Sequence, residues 1–421
     1  MKIAVVGGGS TYTPELVDGI ARLSGDIKIT ELVLVDPDAD RLSVVGPFST
    51  RIMARYGHPA KVSWTEDLDA AAEGAGAAVL QLRVGGQATR HRDETWPLEC
   101  GCIGQETTGA GGFAKALRTV PVVLEVAERI RQRAASDAWI IDFTNPVGIV
   151  TRALLDAGHR AIGLCNVAIG YQRLFASLLD VAPDRVDLDH VGLNHLTWER
   201  AALVDGTDRL PELIAQHGEQ ITMHTGLPLA ATTDFGAVPS YYLRYYWAHD
   251  AVVEEERGQQ TRAEAVAEIE RQLLQMYADP ALDTKPELLT HRGGAFYSEA
   301  AVALLASLLT DARDRQVVNV RNNGTLPFLA DDAVIEVSAI VGADDARPVD
   351  VTPVGPLMRG LIAHVSAYEE LAVDAARRGG RDRVAKALLA HPLVGQYDLA
   401  QQLTDRLLAE NVRFLPWARG Q

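Results

Sequence analysis

The opening segment KIAVVGGGSTYTPEL, residues 2–16, restricts the chain to few folds. Lys2–Val6 is a short β-branched run without polar alternation, so a strand there is buried on both faces and needs helices above and below it. It ends in three glycines. Thr13-Pro14-Glu15 then starts a helix, with Thr13 as N-cap and Pro14 at the first helical position. The same short apolar run recurs at LVLV (32–35), AVLQL (78–82), WIIDF (139–143) and RAIGL (160–164). Helical stretches at 116–134 and 148–158 fall between them. The alternation predicts an α/β unit over residues 1–165, a Rossmann-like, doubly wound parallel sheet that binds a dinucleotide.

Beyond residue 165 the pattern changes. HVGLNHLTWERAALV (190–204) and AVIEVSAIV (333–341) read as strand material, and 261–279 and 356–375 as helices. Residues 166–421 are therefore expected to form a second, substrate- and metal-binding unit, with a pocket where the two units meet.

Composition narrows the partners. The 421 residues carry a formal net charge of −16, which argues against nucleic acid or an anionic membrane as the main partner. Three cysteines, Cys100, Cys102 and Cys165, make no disulfide framework. The first apolar run is too short for a signal peptide, and no run is long enough to span a bilayer. A soluble, cytoplasmic protein is expected.

The glycine loop is the first candidate site. Gly7 and Gly9 allow a tight turn and close approach of a pyrophosphate, which would sit at the helix N-terminus together with Ser10 and Thr11. The third glycine of the usual fingerprint is replaced by Tyr12. Asp36, ending the second strand, suits the ribose hydroxyls of NAD, while nearby Arg41 leaves NADP open.

The second candidate is Cys165, at the carboxyl end of RAIGL, with His195 thirty residues on in GLNHLTW. A thiolate and an imidazole can hold a divalent cation. On spacing alone, a lone cysteine and a lone histidine so far apart are more often core residues than a ligand pair. In PSYYLRYYW (239–247), one of four clustered tyrosines is a candidate base if a nearby cation lowers its phenolic pKa.

Together these pieces form an ordered series: GGGSTYTPEL (7–16), RVGG (83–86), IGQETTGAGGFAKALRTVP (103–121), DFTNPVG (142–148) and GLCNV (163–167). It continues with GLNHLTW (192–198), YLRYY (242–246), RGGAFYS (292–298) and VVNVRNNG (317–324). The series resembles glycoside hydrolase family 4, the NAD- and metal-dependent glycosidases outside the two-carboxylate pattern. The pair Cys165-Asn166 resembles the 6-phospho-β-glucosidase branch, although Ala168 stands where that branch usually has proline.

The resemblance implies a C-terminal α+β domain of the lactate/malate dehydrogenase type and a homodimer or homotetramer. It also implies hydrolysis of a glycoside phosphorylated at C6. The route is oxidation at sugar C3 by NAD, elimination across C1–C2, water addition and re-reduction. Cys165 and His195 would hold Mn²⁺ or another divalent ion, and Tyr242 would take the C2 proton. Arg90, Glu106, Asn145, Asn166 and Arg292 would bind substrate, with Arg90 and Arg292 the candidates for phosphate. The family pattern places no ligand at Cys100 or Cys102.

Two other readings compete. The same mechanism would serve an unphosphorylated, α-linked, galacto-configured or 6-sulfonated glycoside. An NAD-dependent hydroxy-acid dehydrogenase would accumulate NADH and would not need a Cys–His pair.

Overall fold

The computed structural model describes residues 1–22, 27–294 and 296–419. Six strands form its parallel half: β1 (Lys2–Val6), β2 (Glu31–Val35), β3 (Lys61–Thr65), β4 (Ala75–Leu80), β5 (Trp139–Asp142) and β6 (Ala161–Gly163). Their spatial order is β3-β2-β1-β4-β5-β6, the doubly wound dinucleotide order. Successive residues of β1 point to opposite cores. Ile3 and Val5 pack with Leu16, Val45 and Leu304 from the helices Thr13–Arg22, Ala39–Arg55 and Tyr297–Thr310. Ala4 and Val6 pack with Phe113, Val150 and Ile362 from the helices Gly109–Arg133, Val147–Asp156 and Pro356–Arg378. This two-sided burial is why the strand sequences do not alternate.

The second half is antiparallel. It comprises β7 (Val186–Leu193), β8 (Leu196–Val204), β9 (Thr207–Asp208), β10 (Val238–Pro239), β11 (Asp314–Arg321), β12 (Val334–Val341) and β13 (Ala346–Pro348). Strand β11 pairs antiparallel with β6 through Asn319 opposite Gly163, and β12 bridges β11 to β7. The two halves thus share one continuous sheet.

Two local readings change. The helix begins at Thr13 itself, whose hydroxyl accepts from Gln81 Nε2 at 2.7 Å, so Thr13 is not the cap. Strand β3, KVSWT, goes unread in the sequence because it is a half-exposed edge strand. The strand material read at 190–204 is present as parts of β7 and β8. It is a hairpin, whose two-residue turn is Asn194-His195 between the paired Leu193 and Leu196.

Candidate active site

A groove of about 1180 Å³ runs along the carboxyl ends of the parallel strands. Gly7, Ser10, Asp36 and Arg41 line one end of it, and Arg90, Glu106, Asn145, Asn166 and Tyr242 line the other. Gly9, Thr11, Cys165 and His195 are buried and do not line it themselves; His195 packs against the lining residue Tyr242.

At the dinucleotide end, Gly7 has φ +87° and a Cβ there would lie 2.7 Å from the Gln81 carbonyl oxygen. Asp36 Oδ2 accepts from the Gly9 amide at 3.0 Å, and Arg41 Nε donates to the Gly9 carbonyl at 2.8 Å. Asp36 and Arg41 therefore shape the loop from beneath while also facing the groove. Tyr12, in the third-glycine position, donates to the Gly294 carbonyl at 2.7 Å and ties the RGGAFYS segment across the loop. Arg292 donates to Thr11 Oγ1 at 2.7 Å and pairs with Glu270 at 2.9 Å. It therefore stands beside Ser10 and Thr11, in a cluster separate from that of Arg90.

The other cluster centres on Glu106, which is 6% exposed. Lys115 Nζ lies 2.7 Å and Arg90 Nε 3.1 Å from its carboxylate, and Arg83 pairs with it as well. These cations outweigh the burial penalty and hold Glu106 well below the usual carboxylate range. Burial takes Lys115 down to about 7 against the pull of Glu106. Arg90 also bonds Glu94 at 2.7 Å.

The third group gathers at the strand ends. Cys165 follows β6; burial pushes its thiol up, while the nearby Val167 and Asn166 amides and the Asn194 side chain pull the other way. His195 occupies the hairpin turn with φ +62°, a left-handed conformation in which histidine is enriched among non-glycine residues. Its ring stacks on Tyr242 with centroids 3.7 Å apart and planes 7° from parallel. Burial takes His195 down to about 4, so its imidazole is neutral, and its buried Nδ1 has no hydrogen-bond partner among the described residues. Burial, then the Cys165 sulfur, push the Tyr242 phenol well above its ordinary value, against the pull of Arg90.

The donor set fits a divalent cation. A neutral imidazole with an orphaned nitrogen and a buried cysteine sulfur suit a borderline-soft metal. No group of three or more potential ligands exists among the described residues. Substrate oxygens and water would complete such a shell. Cys100 and Cys102 are free thiols pushed up by burial and join no ligand cluster among the described residues.

Sequence reasoning missed Arg83, Lys115, Glu270, Gln81, Gln87, Asn194 and Glu336. The first two sit inside the RVGG and GGFAKAL motifs, where their position in the series was the available signal. Buried side-chain oxygens of Gln81, Gln87 and Asn145 lack partners among the described residues along the groove, as expected where a ligand supplies them.

A doubly wound sheet with a glycine loop, facing a Cys–His pair under a tyrosine, defines a dinucleotide- and metal-dependent enzyme acting on a small polar substrate. The sequence model of the family 4 glycosyl hydrolases matches residues 2–181, and that of their C-terminal domain matches 190–394. The chain belongs to family 4 of the glycosyl hydrolases. It is 37% identical to a probable 6-phospho-β-glucosidase of Bacillus subtilis (strain 168), covering 99% of this chain and 97% of that one. The 6-phospho-β-glucosidase of Thermotoga maritima, solved with manganese, NAD⁺ and glucose-6-phosphate, superposes with a TM-score of 0.93. Identity is 34%, and 99% of each chain is covered. A malate dehydrogenase from Salinibacter ruber, 17% identical over 90% of this chain and 98% of that one, shares the fold at a TM-score of 0.55.

Proposed function

We propose that this chain hydrolyses 6-phospho-β-glucosides with NAD and a divalent metal, manganese in the first instance. The observation that carries the reading is the His195–Tyr242 stack beside Cys165, at the floor of a groove whose far end is the dinucleotide loop.

When bound, NAD supplies reversible hydride transfer at sugar C3, and the metal supplies Lewis acidity there, which together make the C2 hydrogen acidic. The chain's residues do the rest. The Gly7–Thr11 loop seats the pyrophosphate at the helix N-terminus, with Asp36 toward the ribose. Cys165 and His195 are the metal ligands. Tyr242 Oη takes the C2 proton, the aglycone leaves C1, and water adds in its place. Added positive charge at the adjacent ligand pair offsets the burial that otherwise keeps Tyr242 protonated. Arg90 and its neighbour Arg83 face the phosphate, because a guanidinium fork bonds two phosphate oxygens at once. Glu106, Asn145 and Asn166 orient the sugar. Arg292 stands at the dinucleotide end of this site.

The reading includes a dinucleotide unit over 1–165 and a substrate and metal unit over 166–421, with Cys165 at their junction. It includes a homodimer or homotetramer, on the family resemblance. It also includes a cytoplasmic setting, supported by three free thiols. Among the described residues no helix is long and apolar enough to cross a membrane.

The test is nitrophenol release from p-nitrophenyl β-glucoside 6-phosphate and from its unphosphorylated twin, with NAD⁺, Mn²⁺ and a thiol reductant. Release from the phosphorylated compound alone, without NADH accumulation, is the expected result. Steady NADH accumulation or release from neither compound overturns the substrate assignment.

A further inference from the structure

The hairpin carrying His195 stands on a buried polar ladder. His190 on β7 and Glu199 on β8 are cross-strand neighbours, with Nδ1 2.6 Å from Glu199 Oε1. His190 Nε2 lies 3.1 Å from Oε1 of Glu336 on β12. The other oxygen of Glu336 accepts from Asn319 Nδ2 at 2.8 Å, across the β11–β12 pair, and from Asn194 Nδ2 at 2.9 Å. His190, Glu199, Glu336 and Asn319 are each at most 1% exposed. Burial raises Glu199 while His190 holds it down, and apolar residues of the same size in place of such buried carboxylate–imidazole groups are often at least as stable. Stability alone does not explain the ladder.

Its upper end does. An ionised carboxylate only accepts hydrogen bonds, so the Asn194 amide must turn its NH₂ toward Glu336. One N–H is used there, and the Asn194 side chain stands near the Cys165 thiol, which it pulls down against burial. A flipped amide would set a carbonyl lone pair against the sulfur instead. The Asn194 Cβ lies close to the helix Val147–Asp156, where a Cβ on Gly148 would come within 3.2 Å of it. The residue after Asn194 is His195, held with φ +62°.

We propose that Glu336 is a positioning residue for the metal-ligand pair: it fixes the Asn194 amide so that one N–H faces the Cys165 sulfur, and so holds thiolate and His195 turn together. The proposal rests on Cys165 and His195 being the metal ligands. Partners that orient metal ligands typically change metal affinity 10- to 100-fold when removed.

The test uses the full chain with NAD⁺ present and measures Mn²⁺ binding by the electron paramagnetic resonance of free Mn²⁺. The thiolate-to-metal charge-transfer band of the Co²⁺-substituted protein is recorded alongside. Glu336→Gln is expected to weaken Mn²⁺ binding about 10- to 100-fold and to alter the Co²⁺ band, with Glu336→Asp restoring part of both. Asn194→Ala, which removes the donor and leaves the ladder charged, is expected to do the same and serves if the glutamine variant does not fold. Glu199→Gln disrupts the same ladder without touching Asn194. It is expected to lower the unfolding temperature and leave Mn²⁺ affinity within about twofold, well inside the range expected for a lost positioning partner.

Wild-type Mn²⁺ affinity and Co²⁺ band in E336Q and N194A, alongside their loss in Cys165→Ala, would overturn the positioning role. Equal weakening by E199Q and E336Q would also overturn it, by reducing the effect to general damage. Unchanged Mn²⁺ binding in C165A would instead overturn the metal reading beneath it.

Discussion

Replacing Tyr242 by phenylalanine isolates one atom. The Tyr242 ring stacks on His195 at 3.7 Å, and phenylalanine keeps that stack and the shape of the groove. Burial and then neighbouring charges set the acidity of that hydroxyl, and its removal is expected to leave the fold in place. What remains is its role as base. A positioned base contributes roughly 10²- to 10⁴-fold, or about 2.7–5.5 kcal/mol of activation free energy. Y242F is therefore expected to lose that factor in kcat while KM for the phosphorylated glucoside and NAD⁺ affinity hold. Nitrophenol release gives kcat. Solvent deuterium entering C2 of the product, followed by NMR, should fall in step, because the same atom moves that proton. The neighbouring Tyr241 is the control: its hydroxyl accepts from Arg244 Nη1 at 2.6 Å and the side chain is exposed. Y241F should stay within about twofold, far short of the loss of a general base. A Y242F enzyme within tenfold of wild type, or a loss that appears in Y241F instead, would refute the assignment.

Thorough chelation should abolish turnover and Mn²⁺ restore it, because the proposed ligand set takes two groups from the protein, Cys165 and His195; activity that survives chelation would end the metal reading. A thiolate ligand oxidises readily, so turnover should decay in air and be preserved by a thiol reductant, which timed assays on aerobic stocks would show. Glu106→Gln leaves Arg83, Arg90 and Lys115 facing one another, and breaking such a buried pair costs about 3–5 kcal/mol. For a chain of 421 residues, an unfolding entropy of about 2.1 cal/mol/K per residue turns that into a fall of ~3–6 °C in Tm at pH 7.5, read by circular dichroism. Because the folded-state pKa of Glu106 is depressed, its stabilisation is present above the ordinary carboxylate value and is lost as pH falls through the lower folded one. The gap between E106Q and wild type should therefore close in acid below about pH 4.

Much of this protein is local in its chain. The unalternating runs 2–6, 32–35, 139–143 and 160–164 announce two-sided burial, because each residue's apolarity reports the helix layer above or below it. The glycine loop is equally local, since a turn with φ +87° at Gly7 is a property of a few consecutive residues. Cys165, His195 and Tyr242 were legible one by one, through the ordered series of motifs that carries the family resemblance. Their relation was not. Nothing in the sequence says that His195 stacks flat on Tyr242, nor that burial lifts the Tyr242 phenol. A pKa depends on what surrounds a group in space, and those neighbours come from segments far apart in the chain.

The same holds for the supports. Glu336 reaches Asn194 only because β12 and β11 return some 150 residues later to pair beside β6 and β7, fusing two sequence units into one sheet. Lys115 meets Glu106 only after the GGFAKAL segment winds into a helix over it. Sequence alone determined the periodic elements and the reactive residue types, since both are written in short-range order. Tertiary structure alone decided distance, burial and charge balance, because strand pairing and helix packing set those.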